Sequence, residues 1–127
     1  SQFAAGCCDD DATKATIAKI FKEKNYLCDT HTAVAVKVFY DYKAETGDDT
    51  PAVIASTASP FKFASSVYKA LTNCIPPDGY EALTVLSELT SEPIATPLAE
   101  LDKRTVRFSR VCLPEDMAND LFEHLED

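Results

Sequence analysis

The apolar positions of this chain change their period several times, and each change marks an element. Ile17, Ile20 and Phe21 recur at helical spacing behind an acidic triplet, Asp9 to Asp11, and carboxylates there favour a helix N-terminus. The reading is a helix capped by Asp10 or Asp11 that runs to Lys24, with Asn25 suited to the left-handed residue that stops it. Residues 33–42, AVAVKVFYDY, pose a conflict. Their β-branched and aromatic side chains lean toward a strand, but the clean alternation that would support one is missing. Gly47, Asp48 and Asp49 make a turn, and residues 52–56, AVIAS, read as a short strand whose unbroken apolar character suits burial on both faces.

Ser59 followed by Pro60 is a helix start, since the serine oxygen can take an orphan amide and proline fits the first helical position. Phe63, Val67 and Leu71 then form an inward stripe, which residues 75–79 break. Asp78 with Glu81 has the spacing of a capping box for a helix over 80–89 carrying Leu83, Leu86 and Leu89. After two prolines and a short turn at 97–101, residues 105–112 read as a second strand. Pro114 opens a last helix with Met117, Leu121 and Leu125 aligned. Two strands around two helices make a crossover unit, right-handed by the usual rule. The expected fold class is therefore α/β, small and mostly helical with two short strands. So few strands cannot bury one on both faces, which places its other neighbours elsewhere. The chain reads as one domain, 1–127, cut from something larger.

Length and composition narrow the partners. A chain of 127 residues with 46% apolar content is long enough to bury a core and too apolar for disorder. The net charge of −9 leaves no basic face for nucleic acid or an anionic membrane. No apolar run approaches the roughly 20 residues of a membrane span, and the start lacks the basic and apolar regions of a signal peptide. A cytoplasmic protein is expected. Five cysteines, at 7, 8, 28, 74 and 112, form no C-x-x-C pair, and adjacent Cys7 and Cys8 would bond only through a strained ring. Reduced thiols follow. With only His31 and His124 beside them, no metal site is expected. The acidic triplet lacks the alternating ligands of a calcium loop.

Two blocks carry more. Residues 29–35 read DTHTAVA, and residues 51–63 read PAVIASTASPFKF. In that order they resemble the C-terminal portion of threonine synthase, a pyridoxal-phosphate (PLP) enzyme, in which D-x-H-T-A-V-A precedes an apolar strand and a Thr-Ala-x-Pro-x-Lys-Phe turn. Ser59 stands where histidine is common and Phe61 where a small residue is common. The resemblance runs from the acidic helix to about Leu101. It implies that residues 33–42 form a helix buried on most sides and begun by Asp29 or Thr30. It further implies that the segment completes the large domain of a tryptophan synthase β-like PLP fold. It also implies a lyase that converts O-phosphohomoserine to threonine and phosphate in threonine biosynthesis.

Within that resemblance, Thr57 matches the hydroxyl that meets the cofactor's pyridine nitrogen, tuning the ring without imposing a charge. It is the cofactor-binding candidate, and no catalytic residue is assigned. The Schiff-base lysine belongs to an earlier motif, and Gly6, Gly47 and Gly79 stand too far apart for a phosphate-cradling loop. The chain alone is expected to be inactive, with no PLP bound. Its expected partners are the remainder of the parent enzyme and, in the full enzyme, a small-molecule substrate. Ser59-Pro60-Phe61-Lys62 fits the acylase pattern S-x-x-K, but the companion K-T-G and S-D-N elements are absent. Lys62 reads as solvated and His31 as a cap near a helix start. The alternative is a freestanding acidic interaction module without catalysis, pairing through a strand edge with itself or another protein. A fragment would expose an apolar face and bind a hydrophobic dye or self-associate.

Overall fold

The computed structural model describes residues 3–107 and 109–125, with side chains described as far as residue 123. The Phe108 position of the expected second strand, and the side chains of His124 and Leu125, lie outside the described residues. Helix α1 spans Asp10–Lys24. Its cap is Asp9, one residue earlier than expected, whose Oδ1 accepts from the Ala12 amide at 2.8 Å. Asp10 and Asp11 then fill the first turn and Lys22 and Lys24 the last, matching the helix dipole. Asn25, at φ 51°, ends the helix in the left-handed region as expected.

Helix α2, Thr30–Thr46, settles the conflict over residues 33–42 in favour of a helix. Asp29 caps it and Gly47, at φ 69°, closes it with an amide donated to the Lys43 carbonyl. The two local stops outweigh the β-branched content, because propensity is a weak prior once both ends are defined. Burial is narrower than implied: Thr32, Ala33 and Val36 are buried, whereas Tyr40 and Tyr42 reach solvent.

A 3₁₀ turn, Pro60–Phe63, leads into α3, Ala64–Thr72, which stops at left-handed Asn73. The inward stripe centres on Val67 with Ala64 and Ala70, while Phe63 and Leu71 flank it half-buried. Helix α4, Glu81–Thr90, begins at Tyr80 with no side-chain cap, so the Asp78/Glu81 capping box does not form. A capping box needs its first residue at the cap, and here Asp78 lies two positions outside. Ala82 and Leu86 are buried, and Leu89 is half exposed. Short α5, Thr96–Ala99, a 3₁₀ turn at Leu101–Lys103, and a 3₁₀ turn at Pro114–Asp116 leading into α6, Met117–Leu125, complete the chain.

The expected α/β class is wrong: no strand occurs among the described residues, and the molecule is a small helical fragment. Residues 52–56 are non-helical but unpaired, with Val53 99% exposed. Residues 105–107 and 109–112 behave alike, with Val106 and Val111 in solvent. A strand exists only through its ladder partners, and apolar β-formers without a partner remain irregular. The crossover unit falls with them.

The core is built where α1 packs on α2 and α3, and α3 on α4. Ile17 and Ile20 of α1, Ala33 and Val36 of α2, Phe61, Ala64 and Val67 around α3, and Leu86 of α4 meet there. Leu27 and Cys28 from the α1–α2 connection close it. Thr13 and Thr16 tolerate burial because each hydroxyl bonds a carbonyl one turn back, Asp9 O and Ala12 O, both at 2.8 Å. No helix of the described residues is long and apolar enough to cross a membrane.

Candidate functional site

Thr57 lies between α2 and α3, on the stretch that leaves Gly47 and returns to the core at Phe61. The return is locally encoded. Ser59 adopts an extended backbone, its Oγ accepts from the Phe61 amide at 3.3 Å, and Pro60 occupies the first turn. Phe61 is then buried and Lys62 exposed. Ser59 is thus a cap whose oxygen accepts the Phe61 amide, the role its place before Pro60 predicts. Lys62 makes no ion pair among the described residues.

Thr57 itself is exposed, and its hydroxyl has no hydrogen-bond partner among the described residues. A local turn bond, the ordinary fate of a threonine before a helix, is not made. A cleft of about 560 Å³ between the 4–7 segment, α2 and residues 52–55 ends at Ala55, so Thr57 stands outside it on open surface.

The adjacent Ser56 is held. Its Oγ accepts from Tyr26 OH at 3.2 Å and lies 3.0 Å from Thr32 Oγ1. The Thr32 hydroxyl in turn donates to Asp29 Oδ2. Asp29 Oδ1 accepts from the amides of His31 at 2.9 Å and Thr32 at 3.3 Å. The carboxylate is fully shielded from solvent. Burial by itself would push its pKa up, but the Thr32 hydroxyl and the Thr32 and His31 amides outweigh it and hold Asp29 below the ordinary carboxylate value. Ionised Asp29 is the satisfied end of this network.

His31 is mostly exposed. Its Nδ1 lies 3.3 Å from Asp29 Oδ1 and its ring 5.0 Å from that of Phe63. It decorates the start of α2, where the sequence placed it, but Asp29 is the cap. The five cysteines are free thiols. Cys28 is buried, and desolvation pushes its pKa up to about 11, which makes it a poor nucleophile.

Sequence reasoning singled out Thr57 and Ser59 but missed Thr32, Ser56 and Tyr26. The signal for Thr32 was its place three residues after a capping aspartate. No local signal marks Ser56, whose partners lie 24 and 30 positions away. As for PLP, the unengaged Thr57 hydroxyl fits a ring-nitrogen partner. The glycines do not fit a phosphate cradle, since Gly47 and Gly79 are isolated residues at φ 69° and 63°.

A small acidic helical module with an unengaged threonine at a loop-to-helix return defines the class structurally. The family model described as threonine synthase, C-terminal, matches residues 32–119, and the chain belongs to that family. The match starts later and ends further on than the resemblance read from the motifs, and it takes in Thr32, Ser56 and Thr57 while leaving Asp29 outside. No curated protein matches the chain.

Proposed function

We propose that this chain is the C-terminal part of a PLP-dependent threonine synthase and that Thr57 is its contribution to cofactor binding. The observation that carries the reading is the family match across 32–119, which contains a Thr57 hydroxyl that no other side chain occupies. When bound, PLP would supply the electron sink for loss of phosphate from O-phosphohomoserine and addition of water. The chain's own part is narrower. Thr57 would offer a neutral donor to the ring nitrogen, where a charged group would change how strongly the ring withdraws electrons. Ser59 and Pro60 fix where the loop stops, so the hydroxyl is carried at a set distance from the buried Phe61. The remaining ligands, the lysine and the phosphate loop, belong to the rest of the parent enzyme, and the 127 residues alone are inactive. A soluble cytoplasmic setting follows from that activity.

The test is a PLP titration followed by the absorbance of the bound cofactor, on this chain and on the longer parent protein, with Thr57→Val in the parent. Binding by the parent alone, with a shifted band in the variant, is expected. Saturable binding by the 127 residues, or a parent indifferent to Thr57→Val, would overturn the reading.

A further inference from the structure

The hydroxyls of Tyr26, Ser56 and Thr32 and the carboxylate of Asp29 form a connected line of hydrogen-bonding groups. Each hydroxyl has one proton to give, and an ionised carboxylate only accepts. The Thr32 hydroxyl donates to Asp29 Oδ2. The same hydroxyl is the donor 3.0 Å from Ser56 Oγ, so its single proton is shared between Ser56 and the carboxylate. Tyr26 donates to Ser56 at 3.2 Å. The line ends on a buried negative charge, and hydrogen bonds in such a connected network polarise one another.

Capping α2 does not require this line. Asp29 Oδ1 alone takes the His31 and Thr32 amides, and a cap of serine or asparagine would do the same. Oδ2 serves the Thr32 hydroxyl and, through it, Ser56. The stretch that needs holding is clear from exposure. Ala52, Val53, Ala55, Ser56 and Thr57 are all exposed and outside any helix, and Ile54 is only partly packed on the core. Among the described residues, Ser56 is the point where hydrogen bonds tie residues 52–57 to the helices, and Thr57 is the next residue.

We infer that Tyr26, Ser56, Thr32 and Asp29 are a positioning relay that pins the backbone beside Thr57 to the start of α2, so that its hydroxyl is presented to the cofactor in one orientation. The anchoring stands on the geometry; the presentation to cofactor rests on the role given to Thr57 above. These are positioning residues, since none of them is placed against the cofactor itself.

Three variants separate the relay from a plain helix cap. Ser56→Ala lies on the surface and removes the middle link. Asp29→Asn keeps the capping oxygen but offers an amide donor where Thr32 needs an acceptor. Thr32→Ser keeps the hydroxyl and should behave as the parent. Backbone ¹⁵N relaxation on the 127-residue chain is the first readout. Order parameters at residues 55–58 should fall from near the rigid value of about 0.85 to below about 0.6 in Ser56→Ala and Asp29→Asn, with α1 and α3 unchanged. In the PLP-loaded parent, the cofactor band should shift in Ser56→Ala in the same sense as in Thr57→Val, and not in Thr32→Ser. Unchanged order at 55–58 in both Ser56→Ala and Asp29→Asn would overturn the anchoring. A band that moves in Thr57→Val but not in Ser56→Ala would overturn the presentation while leaving the Thr57 reading intact. A silent Thr57→Val would instead overturn that reading, and the presentation with it, while the relaxation data still decide the anchoring.

Discussion

Val67 and Val111 are both apolar, β-branched residues in apolar stretches, yet one is 0% exposed and the other 96%. The first belongs to the cluster of α1 to α4, the second to the stretch that follows α5. Around Val67, helices bounded by Asp9, Asn25, Asp29, Gly47, Ser59 and Asn73 are short enough and turned sharply enough to bring their apolar stripes together. After α5, Val106, Leu113, Met117, Leu121 and Phe122 remain exposed, and α6 packs chiefly on the turn that precedes it. Among the described residues, that end carries ion pairs from Arg110 to Asp120 at 2.9 Å and Glu123 at 3.1 Å. Such exposed pairs contribute little. Apolar character thus supplies the incentive for burial, but sharply ended elements that face one another decide whether it happens.

The largest test of this contrast is a pair of truncations of leucine. Leu86 is 0% exposed in the core, so Leu86→Ala should cost about 2–5 kcal/mol, the range for cavities left by large-to-small changes. Leu121, 58% exposed on α6, should move stability by no more than about 0.5 kcal/mol as Leu121→Ala. Urea denaturation of both variants reads the difference directly. Equal losses would mean that α6 is buried in solution and that the contrast is false.

A second, smaller effect comes from Asp29. Replacing it by Ala removes the α2 cap and should cost about 1–2 kcal/mol, near the top of the range for caps because the carboxylate also serves the Thr32 hydroxyl. The sign with pH is fixed by the lowered pKa. The stabilisation is fully present above the unfolded-state value of 3.8 and is lost as pH falls through the lower folded-state value. The stability difference between the parent and Asp29→Ala should therefore shrink below pH 3.8. A difference that stays constant down to pH 2 would show that the charge is not involved.

These two effects follow what was readable in the residues and what was not. Helix ends are local: Asn25, Gly47 and Ser59-Pro60 each act within a few positions, and each ended or began an element as the pattern suggested. The neighbouring misreadings, Asp10 or Asp11 read as the cap that is Asp9 and an Asp78 box where the cap is Tyr80, are shifts of one or two residues in the same local code. Residues 52–56 and 105–112 were misread for a different reason. Strand propensity says that a segment would suit a ladder, but not whether a partner is there. The place of Thr57 at a loop-to-helix return was legible from Ser59 and Pro60. The Ser56 attachment to Thr32, across 24 positions, was not, because no local pattern encodes which hydroxyl a loop will meet.

Thiol chemistry sharpens the comparison without changing a side chain. Cys28 is buried between α1 and α2, whereas Cys112 is exposed after α5. At pH 8, a water-soluble alkylating reagent should modify Cys112 in minutes and Cys28 only as fast as the α1–α4 cluster opens. Burial raises the Cys28 pKa to about 11 from an ordinary 9.0, so stability from keeping this thiol neutral is complete below pH 9.0 and is lost as pH rises through about 11. Rapid labelling of both thiols at pH 8 would show that the cluster is looser than its packing indicates.

The largest deletion, too, should change stability little. Among the described residues, removing 105–127 takes away six exposed large apolar side chains, Val106, Val111, Leu113, Met117, Leu121 and Phe122, but no member of the core cluster, and the partly buried Ile94 and Leu98 packed on it are retained. The unfolding free energy of the α1–α4 cluster should then change by less than about 1 kcal/mol, because the loss is of solvated contacts rather than buried area. Binding of a hydrophobic dye should fall at the same time, since exposed apolar surface is what such dyes report. If the shortened chain instead unfolds, residues 105–125 cover the cluster in solution and their apolar side chains belong to its core. If it folds but dye binding persists undiminished, the exposed apolar surface that matters lies beside α2 and residues 52–55, on the side where Ser56 and Thr57 sit.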